Sequence, residues 1–131
     1  MPTSDPEGTF EPGTVVKVPF PYTDRATRQR RPALVVSASG LQGRHGLCWV
    51  LMITSAVNRG WEGDVDIDDL PMAGLPVPSV IRTAKIATID AGDAAPLGRI
   101  DAKTLGAVRR YLGVVLGTDG TPRESRRSSK R

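Results

Sequence analysis

The 131-residue chain predicts a mainly β fold with α, a small and strongly bent antiparallel sheet or half-open barrel covered by a C-terminal helix. Three observations carry that expectation. Short runs rich in valine and isoleucine recur between Pro- and Gly-containing breaks up to Asp90, and one late segment then changes to helical spacing. The length suits a single domain with a single hydrophobic core.

The first run, "GTVVKVPF" (13–20), follows a turn-forming Pro-Gly pair and brings three β-branched residues, Val15, Val16 and Val18. Pro19 and Pro21 lack ladder donors, so this strand ends there or lies at an edge. "ALVVS" (33–37) and "LCWVLMITS" (47–55) are the next strands. The second is too uniformly apolar to have one wet face, so the two form the core and Trp49 is expected to pack inside it.

"DVDIDD" (64–69) alternates, and period two sets Asp64, Asp66 and Asp68 on one face. A solvated strand face is the expectation, because no further ligands converge with them to hold a metal. "SVIRTAKIATID" (79–90) supplies one or two further strands. From Asp101, an N-cap residue, Leu105, Val108, Leu112 and Val115 recur at helical spacing, and Gly117 supplies the stop. The apolar stripe of that helix should cover the sheet.

Residues 1–12 read as a loose leader, 13–117 as the domain, and 118–131 as a basic tail with too few apolar residues to order itself. The net charge of +4 is uneven: residues 1–117 carry 13 basic and 12 acidic side chains, the tail five and two. The total is therefore weak support for a nucleic-acid partner. Cys48 is alone, which excludes an intrachain disulfide and fits a reducing cytoplasm. No apolar stretch reaches the ~20 residues needed to cross a bilayer, so a soluble intracellular protein without a membrane partner is expected.

The informative charge is local. Arg25, Arg28, Arg30 and Arg31 crowd the segment that enters the second strand, beside Tyr22 and Asp24. Arginine binds phosphate through paired donors and tyrosine can stack on a base, but the same composition also makes an ordinary solvated loop. Arg31 stands apart because Pro32 biases it to an extended conformation and the strand anchors its backbone. A rigid guanidinium beside a phosphate can stabilise charge developing on its oxygens.

At the far end of the long strand come Thr54 and Ser55, hydroxyls able to bind a phosphate or merely to cap the turn. Arg82 is a groove contact for RNA or, equally, a partner for the acidic strand; Asp24 could read bases or tether Arg31. Trp61, after Arg59-Gly60, could touch RNA or a protein partner. His45 lies in the Gly-rich "LQGRHG" and reads as an exposed loop side chain rather than a catalytic base.

Taken in order, "PGTVVKVPFPYTD", "RRPALVVS", "LMITS", "PSVIRTAKIATID" and "DAKTLGAVRRYLGVVL" resemble the MazF/PemK family, the endoribonuclease toxins of type II toxin–antitoxin systems, over residues 12–117. The resemblance implies an SH3-like barrel with a C-terminal helix, usually a homodimer. It implies sequence-selective cleavage of single-stranded RNA without metal or other cofactor, and a cognate antitoxin whose acidic segment folds over the basic groove. It identifies Arg31 and Thr54 as the catalytic residues, with Ser55 secondary. Tyr22, Asp24, Arg28, Arg30 and Arg82 are the expected RNA contacts.

In the implied reaction the ribose 2′-hydroxyl attacks the adjacent phosphate, leaving a 2′,3′-cyclic phosphate and a 5′-hydroxyl. The nucleophile belongs to the substrate, so the enzyme aligns it and stabilises the phosphorane. The first loop is densely basic rather than glycine-rich as in better-known members, so base selectivity does not carry over. Two other functions compete: a nucleic-acid-binding barrel without turnover, and a toxin that inhibits DNA gyrase through protein contacts, against which the retained Arg31 and Thr54 argue.

Overall fold

In the computed structural model, which describes residues 8–19 and 30–118, the valine-rich run after Gly13 forms β1 (Thr14–Pro19), and Arg31-Pro32 lie at the start of β2 (Arg30–Val35). There follow α1 (Ser39–His45), β3 (Leu47–Ser55), β4 (Asp64–Asp66), α2 (Leu70–Ala73), β5 (Ser79–Asp90), β6 (Ala95–Arg99) and α3 (Ala102–Leu116). Hydrogen bonding joins the strands into one sheet in the order β4-β5-β3-β2-β1-β6, every pair antiparallel. The fold is thus a mixed one, a six-stranded antiparallel sheet with a C-terminal helix. Among the described residues no helix is long and apolar enough to cross a membrane.

The uniform apolarity of β3 has a direct cause: it is buried on both faces. Leu51 and Ile53 join Val15, Leu34, Ile81 and Val108 in one cluster, while Cys48 and Val50 join Phe10, Val16, Val18 and Ala33 in another. At 1.5–3 kcal/mol for each large buried aliphatic side chain, β3 is the principal hydrophobic investment of the sheet. Burial in the second cluster also raises the pKa of the Cys48 thiol.

The ambiguous segment 79–90 is one strand interrupted by a bulge. Leu51 pairs with Ile86 but Met52 pairs with Arg82, so Thr83, Ala84 and Lys85 are looped out and β5 works as two halves. Its first half also pairs with β4.

Asp101 caps α3 by accepting from the Thr104 N–H at 2.8 Å, and Gly117 ends it at φ 75°. Thr104 and Val108 are buried, but the apolar stripe does not cover the sheet to its end: Val114, Val115 and Leu116 of the last turn are exposed. Trp49 corrects the expectation of core packing, since it is 46% exposed.

Three elements, α1, α2 and β6, escape the sequence pattern. "LQGRHG" (41–46), expected as a Gly-rich loop, belongs mostly to α1, a helix with no buried residue that ends at Gly46 in the left-handed region. Its Gln42 holds the chain's first described residues, accepting from Phe10 N–H at 2.9 Å and donating to the Gly8 carbonyl, so contacts across the fold offset the poor helix propensity of its glycines. β6 has no assignment from sequence; it carries Pro96 and Gly98, which an edge position tolerates. A Cβ on Gly98 would run into the backbone of Met72 and Ala73, so this glycine is what lets α2 and β6 touch.

Candidate active site at the end of β3

Arg31 is half-buried in β2, opposite Val18 of β1, and Thr54 is half-buried in β3, opposite Val80 of β5. The two strands are neighbours. Their ladder runs Val35↔Val50, Leu34↔Leu51, Ala33↔Met52 and ends there; the same register carried two residues further would set Arg31 across from Thr54. Alternation puts Arg31 on the face of Ala33 and Val35, and Thr54 on the face of Met52 and Val50, which pack together in the second cluster. Both side chains therefore stand on one side of the sheet, where the apolar run ends.

The turn after Thr54 is held by a dense set of hydrogen bonds. Ser55 caps the 3-10 turn Ala56–Asn58, its hydroxyl accepting from the Val57 N–H at 3.3 Å, which is the local role open to it from sequence. Asn58 Nδ2 donates to Thr54 Oγ1 at 3.0 Å. Arg82 Nη2 donates to the Asn58 carbonyl at 2.6 Å.

Of the two readings open for Arg82, the structure shows the partner for the acidic strand. Its Nε donates to Asp64 Oδ1 at 3.2 Å and its Nη2 to Oδ2 at 3.0 Å, with the side chains only 10% and 8% exposed. Asp64 Oδ2 also accepts from the N–H groups of Gly60 and Trp61. Asp64 therefore corrects the expectation of a solvated acidic face, whereas Asp66 meets Arg59 in the open, at 2.8 Å. Burial by itself would raise the Asp64 pKa, but the Arg82 hydrogen bond, the Trp61 N–H, the Arg82 charge and the Gly60 N–H together outweigh it and hold the carboxyl below its ordinary value. The Arg82 guanidinium lies 4.3 Å from the centre of the Trp61 ring, within cation–π range, and Lys85 Nζ lies at 5.6 Å.

Arg30, expected to contact RNA, is exposed but donates to the backbone carbonyl of Asp93 at 2.9 Å, which ties the start of β2 to the turn after β5. Tyr22, Asp24, Arg25 and Arg28 lie outside the described residues, as does the tail from 119 onward. His45 ends α1, beside the start of β3 and so at the opposite end of that strand from Thr54. Among the described residues no group of three His, Cys, Asp or Glu could hold a metal ion.

Sequence reasoning missed Asn58, and it offered the acidic strand as a partner for Arg82 without singling out Asp64 or its burial. The available signal for Asn58 was its position four residues after Thr54, within side-chain reach if the chain turns. The pair needed the β4–β5 register, in which Asp64 opposes Arg82.

The family model described as "PemK-like, MazF-like toxin of type II toxin-antitoxin system" matches residues 11–116. Among solved structures, a MazE–MazF crystal structure from Deinococcus radiodurans (Form-II) is 30% identical with a TM-score of 0.66, covering 83% of this chain and 96% of that one. Form-III of the same complex is 29% identical, with a TM-score of 0.69 and coverage of 83% and 97%. An endoribonuclease in complex with its cognate antitoxin, from a mycobacterial species, is 16% identical with a TM-score of 0.64 over 83% and 94%, a likeness of fold alone. No curated protein sequence matches significantly. With its family model spanning most of the sheet and α3, this chain belongs to the PemK-like, MazF-like toxins of type II toxin–antitoxin systems.

Proposed function

We propose that the protein is a metal-independent, sequence-selective endoribonuclease toxin that cleaves single-stranded RNA and is neutralised by an antitoxin. The observation that carries this reading is the alignment of Arg31 and Thr54 on adjacent strands and one face, an arginine fork and a hydroxyl able to converge on one phosphate. The ribose O2′ forms a bond to phosphorus as the P–O5′ bond breaks. The 2′-hydroxyl proton is removed, O5′ gains one, and the products carry a 2′,3′-cyclic phosphate and a 5′-hydroxyl. Arg31 stabilises the negative charge on the non-bridging oxygens. Thr54 orients the phosphate or the attacking hydroxyl, with Ser55 a secondary candidate.

The rest of the reading is a cytoplasmic homodimer with an SH3-like barrel in each subunit. An apolar groove of about 600 Å³, lined by Trp49, Ile86, Leu112, Val115 and Leu116 together with Arg44, is the surface best suited to the second subunit. Tyr22, Asp24, Arg28 and Arg30 remain the proposed RNA-contacting set, whereas Arg82, buried in its pair with Asp64, supports the turn from inside. An acidic antitoxin segment would compete with RNA for the basic groove.

The test incubates purified protein with a diverse pool of single-stranded RNAs in excess chelator and maps every new end. Cleavage at a short recurring motif with cyclic-phosphate ends is expected, reduced about 10²–10³-fold in Arg31→Ala and also lowered in Thr54→Ala. An intact pool despite retained RNA binding would replace the enzyme with a binding barrel.

A further inference from the structure

The hydrogen bonds around Thr54 form a continuous chain from a buried ion pair to a hydroxyl at the sheet surface. Asp64 grips Arg82 through two oxygens, Arg82 grips the Asn58 carbonyl, and the Asn58 side chain grips Thr54 Oγ1. The inner links are nearly dry and the outer link is exposed. A buried fork-to-carboxylate pair is a stiff anchor, since both partners lose much more than a surface pair would by separating.

The direction of the last link has a chemical consequence. Asn58 Nδ2 can only donate, so Thr54 Oγ1 is the acceptor in that bond and its own proton is turned elsewhere. A threonine held this way is a hydrogen-bond donor, the polarity a phosphate oxygen requires.

We propose that Asn58 is a positioning residue for the reaction, and that the Asp64–Arg82 pair anchors it so that Thr54 presents a fixed O–H to the scissile phosphate. This inference deepens the ribonuclease reading and rests on it. Asn58 contacts Thr54 and not the reacting atoms, so its effect falls on geometry. Trp61, stacked against the Arg82 guanidinium, closes the anchor from solvent on one side.

Asn58 is exposed, so its variants should fold. Asn58→Ala removes the donor; Asn58→Asp replaces it with a group that only accepts, recruiting the Thr54 proton and withdrawing it from substrate. Cleavage of the RNA pool would be followed in wild type and both variants. In parallel, the three-bond couplings of the Thr54 methyl carbon would report its χ1 without any substrate.

The expected results are a single Thr54 rotamer in wild type, averaged couplings in Asn58→Ala, and a kcat lowered about tenfold with KM little changed. Asn58→Asp should be slower still, by about a hundredfold, although nearly isosteric. Simple charge repulsion from RNA would instead raise KM and fade with salt. Asp64→Asn should loosen Thr54 in the same direction, and if it fails to fold the Asn58 pair still decides the matter.

Unchanged couplings and kcat in Asn58→Ala, or an Asn58→Asp enzyme as fast as wild type, would overturn the positioning role. An RNA pool left intact by wild type, with Thr54 still loosened by Asn58→Ala, would overturn the ribonuclease reading and reduce the chain of bonds to a structural tether.

Discussion

The turn that follows β3 and the groove beneath the last turn of α3 meet their chemistry in opposite ways. Residues 54–64 are mostly polar and are satisfied from within: Ser55 caps, Arg82 clamps, and Asp64 gathers two backbone N–H groups along with its arginine. Val114, Val115 and Leu116 form the reverse case, apolar side chains 58–66% exposed at the end of a well-capped helix. One region is rigid because its polar groups have partners inside the subunit. The other leaves apolar side chains uncovered at the end of its helix.

The sharpest way to break the first region is Arg82→Ala, which strands the Asp64 carboxylate in a nearly dry site. Loss of one partner of such a pair costs about 3–5 kcal/mol. Urea unfolding should show a much lower midpoint with the slope retained.

Gly63 comes next. It sits at φ +91°, and a Cβ there would meet the Thr83 hydroxyl at 2.5 Å, the same hydroxyl that donates to the Gly63 carbonyl. Gly63→Ala should therefore destabilise by about 1–3 kcal/mol, visible as an earlier thermal midpoint.

Acid probes the same region more gently. The Asp64 pKa is lower folded than unfolded, so its contribution is complete above the unfolded value near ~3.9 and is lost as pH falls through the lower, folded one. The stability of wild type should consequently fall below about pH 4 more steeply than that of Asp64→Asn, whose curve starts lower and is flatter there. Parallel curves would mean that the pair titrates no differently from exposed carboxylates.

At the α3 groove the expected effect on the subunit itself is the smallest. Val115→Ser with Leu116→Ser should change unfolding stability at high dilution by no more than about 0.5 kcal/mol for each site. Light scattering at higher concentration should nevertheless report a smaller particle than wild type. An unchanged mass would remove the second subunit from this surface.

Legibility from sequence divides along similar lines. The ends of α3 were readable at Asp101 and Gly117 because capping is decided within a few residues, and β3 was readable because nine successive residues contain no breaker. Arg31 and Thr54 were each singled out from local sequence but paired only through resemblance, since spacing alone did not join positions 23 residues apart. Trp49 misled because an apolar strand says that residues are buried without saying how far each neighbour extends along it; past the reach of α3 its ring stays half open. α1 was hidden by Gly40 and Gly43, whose low propensity is outweighed by contacts made through Gln42.

By itself the sequence determined most of the extended segments, where α3 begins and stops, and that the chain carries an arginine before a proline and a threonine at a strand's end. These are consequences of local sterics, side-chain period and capping, each settled within a few residues. Only the tertiary structure decided that Arg82 is sequestered by Asp64, that Asn58 reaches Thr54, that β5 is one bulged strand, and that Arg31 and Thr54 share a face. Those outcomes depend on register between strands distant in sequence, where a shift of one residue would turn every side chain to the other side of the sheet.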